Sequence, residues 1–204
     1  MTEKPDLWKY EREAAERGYS VVCGIDEAGR GPLAGPVCAG AVILPFGTEI
    51  DGLNDSKKLT DKKRRELYDV ITAKASAWGV AFASEQEIDE INILQATFLA
   101  MQRAVDKLGV RPELLLIDGN RARDFGIPAE TIVKGDSLSA NIAAASILAK
   151  VTRDRLMEEL ALTYPQYGFE IHKGYGTKKH YEALREFGPC PIHRRTFLRN
   201  LHGE

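Results

Sequence analysis

The sequence predicts an α/β fold in which a mixed sheet is covered by helices. Three observations carry this. Two short apolar runs, residues 21–25 and 37–44, flank a Gly/Pro-rich stretch that no helix tolerates. Further along, short apolar runs alternate with segments whose apolar residues recur at three- and four-residue spacing. Finally, residues 114–117 are apolar at every position, the pattern of a strand covered on both faces.

Taken in order, residues 7–18 read as a polar first helix stopped at Gly18. Residues 21–25 are a strand running into Asp26 and Glu27, and residues 29–36, from Gly29 to Pro36, are a loop. Residues 37–44 form the second strand, closed by Pro45-Phe46-Gly47. A helix over 61–75 puts Leu67, Val70, Ile71 and Lys74 on one side, and residues 78–83 alternate as a third strand. Over 92–108, Leu94, Phe98, Met101, Val105 and Leu108 mark an amphipathic helix that Gly109 stops. The run 114–117 ends on Asp118-Gly119, and a short strand over 131–133 ends on Lys134-Gly135-Asp136. The next helix, 138–160, is small or apolar on nearly every face, so its first half is expected to be buried. After Tyr164-Pro165 the texture turns to glycine, aromatic and basic residues, with helices expected at 177–187 and 194–200. The chain thus divides into a core, 1–160, and a C-terminal helical region, 161–204, packed on it.

A chain of 204 residues is long enough for one well-buried core with a small appendage. Its 44% hydrophobic and 28% charged residues are those of an ordinary globular protein. No apolar run approaches the roughly 20 residues that span a bilayer, and the first residues carry no basic-then-apolar leader, so no membrane partner and a cytoplasmic location are expected. Cys23, Cys38 and Cys190 make no staple framework; Cys23 and Cys38 lie in apolar runs and read as buried free thiols. Net charge is −2, which announces no nucleic-acid partner. Residues 1–149 carry 18 basic and 23 acidic side chains, whereas residues 150–199 carry 10 and 6. That asymmetry suits a metal site beside a phosphate-binding surface, and equally a solvated helical surface.

The positions of the carboxylates are more telling. Asp26 with Glu27, Asp118, and Asp136 each follow a separate predicted strand, and ligands gather where strand ends converge. Four acids in one place repel one another unless cations hold them, and oxygen donors select hard ions such as magnesium or manganese. Two such ions about 3.5–4 Å apart serve phosphodiester cleavage. The pattern alone leaves a second reading open, in which the acids cap helices and end strands separately.

The segment from Gly24 to Val37, Gly-Ile-Asp-Glu-Ala-Gly-Arg-Gly-Pro-Leu-Ala-Gly-Pro-Val, closely resembles the opening signature of the bacterial ribonuclease HII family, the type II ribonucleases H. The likeness continues in order through Asp55-Ser56-Lys57-Lys58-Leu59, Ile117-Asp118-Gly119-Asn120, Lys134-Gly135-Asp136, residues 143–150 and His172-Lys173-Gly174-Tyr175-Gly176-Thr177. It covers roughly residues 20–190. The resemblance implies a ribonuclease H-like core with a mixed five-stranded sheet and a C-terminal helical region against the substrate cleft. It implies that Asp26, Glu27, Asp118 and Asp136 form the metal-binding and catalytic set, with two Mg2+ or Mn2+ ions. Gly29, Arg30 and Gly31 resemble the segment that reads the ribose, and Tyr175 the residue that stacks on the sugar 3' of it. Lys57 and Lys58 resemble phosphate contacts; Ser139, Asn141 and His180 are further candidates for holding the nucleic-acid backbone.

The implied reaction is hydrolysis of the RNA strand of RNA/DNA hybrids and cutting 5' of single ribonucleotides in duplex DNA, leaving 3'-hydroxyl and 5'-phosphate ends. The implied role is ribonucleotide excision and removal of hybrid RNA. A monomer is expected, and a sliding-clamp partner is left open. The short stretch ahead of Asp26 favours type II over type III. A non-catalytic binding module is disfavoured by the four acids, which would only weaken phosphate binding. His172, His193 and His202 are too widely spaced, with no cysteine cluster, for a zinc site. A kinase reading fails because Gly29-Arg30-Gly31-Pro32 lacks a following Gly-Lys-Ser/Thr.

Overall fold

The computed structural model describes residues 6–198. Five strands, β1 (Val22–Ala28), β2 (Val37–Ile43), β3 (Ala77–Ala83), β4 (Leu114–Asp118) and β5 (Ala129–Ile132), form one sheet in the order β3-β2-β1-β4-β5. The first three make an antiparallel meander, and β4 and β5 extend it in parallel with β1. The expected mixed five-stranded sheet is therefore present. Around it lie α1 (Lys9–Glu16), α2 (Asp61–Lys74), α3 (Glu85–Asp106), α4 (Ala140–Thr163), α5 (Phe169–His172) and α6 (Lys178–Phe187).

Side chains alternate across a strand, so each strand serves two cores. On one face, Cys23 and Ile25 of β1 and Leu115 and Ile117 of β4 pack against Phe98, Met101 and Val105 of α3. On the other, Val22, Leu114 and Leu116 meet Ile142 of α4, while Val42 meets Ala144, Ala145 and Leu148. Each such aliphatic side chain contributes about 1.5–3 kcal/mol on burial. Every residue of α4 from Ala140 to Ala149 is buried, because α2 lays Leu67 and Ile71 over the helix opposite the sheet. Gly24 lets α4 come this close: a Cβ there would stand 2.2 Å from the Asn141 carbonyl carbon.

The differences from expectation have local causes. Helix α3 begins at Glu85, seven residues earlier than its apolar periodicity. Ser84 and Glu87 form a capping box there, and Asn92 (φ 66°) kinks the helix while its Oδ1 accepts the Leu94 and Gln95 N–H groups. The acidic first turns carry no apolar stripe, so only the part beyond the kink was legible. Val70 of α2 is exposed. Strand β5 occupies Ala129–Ile132, and Val133 stands outside it, 63% exposed. The helix expected at 194–200 is a single 3-10 turn, Arg195–Phe197; residues 199 and 200, like His202, lie outside the described residues. Helix α4 runs on to Thr163, and its Met157 and Ala161 share an apolar cluster with Leu33, Ala34, Phe169 and Leu184. The C-terminal region is thereby packed against the loop that follows β1.

Cys23 and Cys38 are buried and free, as expected, and burial pushes the Cys23 thiol up to about 12. No helix among the described residues is long and apolar enough to cross a membrane.

Candidate active site

Strand parity builds the acidic centre. Asp26 lies on the same face of β1 as Val22 and Gly24, and Asp118 on the same face of β4 as Leu114 and Leu116. The parallel register pairs Gly24 with Leu116 and Ile25 with Ile117, so the next step sets Asp26 beside Asp118. Asp136 arrives by another route. It does not end a strand, as its sequence context suggested, but sits in a 3-10 turn, Gly135–Ser137, between β5 and α4. The Gly135 N–H donates to Asp118 Oδ1 at 2.7 Å, which ties this turn to the end of β4. One carboxylate oxygen from each of Asp26, Asp118 and Asp136 lies within 4.8 Å of the others.

Glu27 stands beside the other three acids rather than among them, close enough for the Asp118 charge to act on it. As the next residue of β1 it alternates to the other face, and it is not one of the three converging acids. It lines a cleft of about 370 Å³ with Arg30, Phe98, Asp118, Asn120 and Arg121, and Arg30 Nη1 stands 3.4 Å from its Oε1. The cleft joins the acids to the glycine loop.

Burial, then the Glu27 and Asp118 charges, raises the Asp26 carboxyl well above the usual carboxylate range. Burial followed by Asp118 pushes Asp136 up to about 6, against the pull of Lys57, whose Nζ is 3.9 Å away. Burial also raises Glu27, although Arg30 opposes it. Lys57 lies in a 3-10 turn, Ser56–Lys58, capped by Asp55, whose Oδ1 accepts the Lys57 N–H at 2.8 Å; Lys58 Nζ lies 3.8 Å from the same carboxylate. Burial and mutual repulsion outweigh Lys57 and Arg30, so the ionised carboxylates call for further positive charge. An all-oxygen donor set suits a hard divalent cation, so the residues fit magnesium or manganese.

The Gly29-Arg30-Gly31 loop is held from behind by two buried arginines that sequence reasoning missed. Arg194 donates through Nη2 to Gly29 O (2.6 Å), through Nη1 to Arg30 O (2.9 Å) and through Nε to Gly35 O (2.9 Å). Arg153 of α4 donates to Pro36 O, Ala34 O and Lys173 O at 2.9–3.1 Å. Gly29 (φ 93°) has no room for a side chain, because a Cβ would lie 2.0 Å from Arg153 Nε. Tyr175, 43% exposed, abuts this loop: its Cε1 is 3.7 Å from where a Cβ on Gly31 would stand. Arg153 sits among the other charges of the second half of α4, and neither it nor Arg194 gave a sequence signal.

Three further candidates turn out to be built into the scaffold. Ser139 is buried at the N-cap of α4, where it accepts the Ile142 N–H and donates to Glu11. Asn141 links β1 to the residue just after β2, accepting the Leu44 N–H and donating to Val22 O. His180 is buried and bonded to Tyr175 O and to His193. Each of the three spends side-chain polar atoms on the protein itself.

The ribonuclease HII family profile matches residues 23–200. The ribonuclease HII of Geotalea uraniireducens is 57% identical over 195 residues, covering 96% of this chain and 90% of its own. Among solved structures, the ribonuclease H2 of Pyrococcus horikoshii aligns with a TM-score of 0.71 at 29% identity, over 86% of this chain and 93% of that one. The Archaeoglobus fulgidus ribonuclease HII, solved in complex with PCNA, gives 0.73 at 26% identity over 90% and 97%. The converging acids, the cleft beside them and these relationships agree, and the chain belongs to the ribonuclease HII family.

Proposed function

We propose that this enzyme hydrolyses the RNA strand of RNA/DNA hybrids and cuts 5' of single ribonucleotides in duplex DNA, leaving a 3'-hydroxyl and a 5'-phosphate. The observation that carries the reading is the triad of Asp26, Asp118 and Asp136, with oxygens within 4.8 Å of one another and two of the three acids buried. Asp26, Asp118 and Asp136 would hold magnesium or manganese, and Glu27 completes the set from the other face of β1. When bound, two such ions make a water a competent nucleophile and stabilise the charge that develops on the phosphate and the departing oxygen.

The chain's own residues supply placement. Lys57 is 76% exposed at its side chain and free to take a phosphate oxygen beside Asp136, a role Lys58 shares from the same turn. Arg30 presents its donor fork at the cleft mouth. The backbone of Gly29–Gly31 approaches the minor groove, where the 2'-hydroxyl distinguishes RNA from DNA. Tyr175 offers its ring to the adjoining deoxyribose. No base-specific contact is required, since shape and ribose are read.

The test is cleavage of an end-labelled DNA duplex containing one ribonucleotide, beside an all-RNA/DNA hybrid, with magnesium, manganese or chelator. Metal-dependent cutting at the lone 5' junction is expected. Cutting of the long hybrid alone would move the assignment to a type I or III specificity, and binding without cutting would mark a non-catalytic module.

A further inference from the structure

The segment 190–194 touches both halves of the surface just assigned to the ribose and its neighbour. Its backbone runs beside the loop after β1: Gly35 N–H donates to Ile192 O (2.9 Å), Arg194 N–H to Leu33 O (2.9 Å), and Ala34 bridges His193. The Leu33 N–H in turn donates to Gly174 O (2.8 Å), which binds the Tyr175 loop to the same strip. From this strip two consecutive side chains diverge. Arg194 places three donors on the carbonyls of Gly29, Arg30 and Gly35. His193 turns the other way.

The histidine contacts allow one tautomeric assignment. His193 Nδ1 accepts the Cys190 N–H at 2.9 Å, so its proton sits on Nε2. That proton is donated to His180 Nε2 at 3.0 Å, which leaves His180 protonated on Nδ1, and Nδ1 donates to Tyr175 O at 2.9 Å. A directed chain of hydrogen bonds thus runs from Cys190 to the backbone of the tyrosine. His172 supports the same loop, its Nδ1 accepting the Gly174 N–H.

We infer that His193 and Arg194 are a positioning pair that sets the Gly29–Gly31 backbone and Tyr175 in mutual register, so that ribose and adjoining deoxyribose are read together. The inference rests on the proposed function and deepens it. Neither side chain touches substrate, since both are buried. Their effect passes through carbonyls whose own residues make the contact. Misplacement of such groups by about 1 Å costs about 100-fold in rate.

The test compares wild type with Arg194→Lys, His193→Leu and His193→Gln on the lone-ribonucleotide duplex and on the long hybrid, using one enzyme sample for both. The ratio of the two kcat/KM values is independent of how much of a variant is folded. A lysine keeps charge without the three-way fork, and it is expected to lower the lone-junction value about 100-fold while the hybrid, with a ribose at every step, falls about tenfold or less. His193→Leu breaks the chain and is expected to raise KM for the lone junction selectively; His193→Gln, which retains a donor toward His180, is expected to restore it. Amide exchange over residues 29–35 and 173–176 should accelerate in Arg194→Lys and in His193→Leu but not in His193→Gln. Equal losses on both substrates, with a wild-type ratio, would reduce the pair to ordinary scaffold and overturn the inference. A wild-type enzyme unable to cut the lone junction would overturn the proposed function and the inference with it.

Discussion

Two regions of this molecule bury ionisable side chains and treat them in opposite ways. At the end of the sheet, Asp26 and Asp136 are buried with carboxylates among their nearest neighbours, and their pKa values are driven up. Between the loop after β1 and the C-terminal region, Arg153, Arg194 and three histidines are buried as deeply, yet the two guanidinium groups make six bonds to carbonyls and the histidines bond in a consistent direction. Burial there, then Arg153, lowers Arg194 to about 9, so it remains charged at neutral pH. Buried charge that is satisfied within the chain belongs to the scaffold. Buried charge left in conflict marks the place where something else must bind.

The largest expected effect separates the two regions by activity. Asp118→Asn keeps an acceptor for the Gly135 N–H, so the fold should persist while turnover falls by about 1,000-fold or more. Near-normal cleavage at physiological magnesium would refute the role. In the satisfied region the cost should instead appear in stability: Arg194→Met strands three carbonyls and is expected to lose about 3 kcal/mol in urea unfolding.

The pH dependence should also divide. Burial, then His180, lowers His193 to about 4 from its usual 6.5, so the unfolded chain binds the extra proton between these values. The stability it contributes is complete above pH 6.5 and is lost as pH falls through 4. His193→Gln should flatten that acid limb by about 2 kcal/mol, measured by unfolding from pH 7 to 4 without metal. For Asp136 the sign reverses: a folded-state pKa raised to about 6 penalises the metal-free fold increasingly as pH climbs from 3.8 to 6, and fully above that. Asp136→Asn should therefore stabilise the metal-free protein at pH 8 by about 1 kcal/mol, the smallest effect, while magnesium raises the Tm of wild type more than that of the variant. A destabilised variant would mean that the Lys57 contact outweighs the repulsion.

The same contrast governs what could be read in advance. Strands were visible because β1 and β4 bury both faces and leave apolar runs, and Asp26, Glu27 and Asp118 were visible because they close such runs, whereas Asp136 lies in a turn beyond the partly exposed β5. Parity could have shown that Asp26 and Glu27, as neighbours on one strand, face opposite ways. The satisfied groups were not legible. Ser139, Asn141 and His180 look like substrate contacts in sequence, and only their partners, Glu11, Val22, Leu44 and His193, show that they are already engaged. Arg194 gave no sign because its partners lie at the far end of the chain.

That separation has a consequence for how the enzyme comes into being. The carbonyls of Gly29 and Arg30 are fastened by a residue 165 and 164 positions later. Synthesis from the N-terminus delivers every acid of the centre before it delivers Arg194, so the acidic centre is made ahead of the residue that fastens the Gly29–Gly31 loop. The Gly29–Gly31 backbone is thus fastened only after the acids have been made, and closing a loop of that length adds an entropic cost that the rest of the fold must offset.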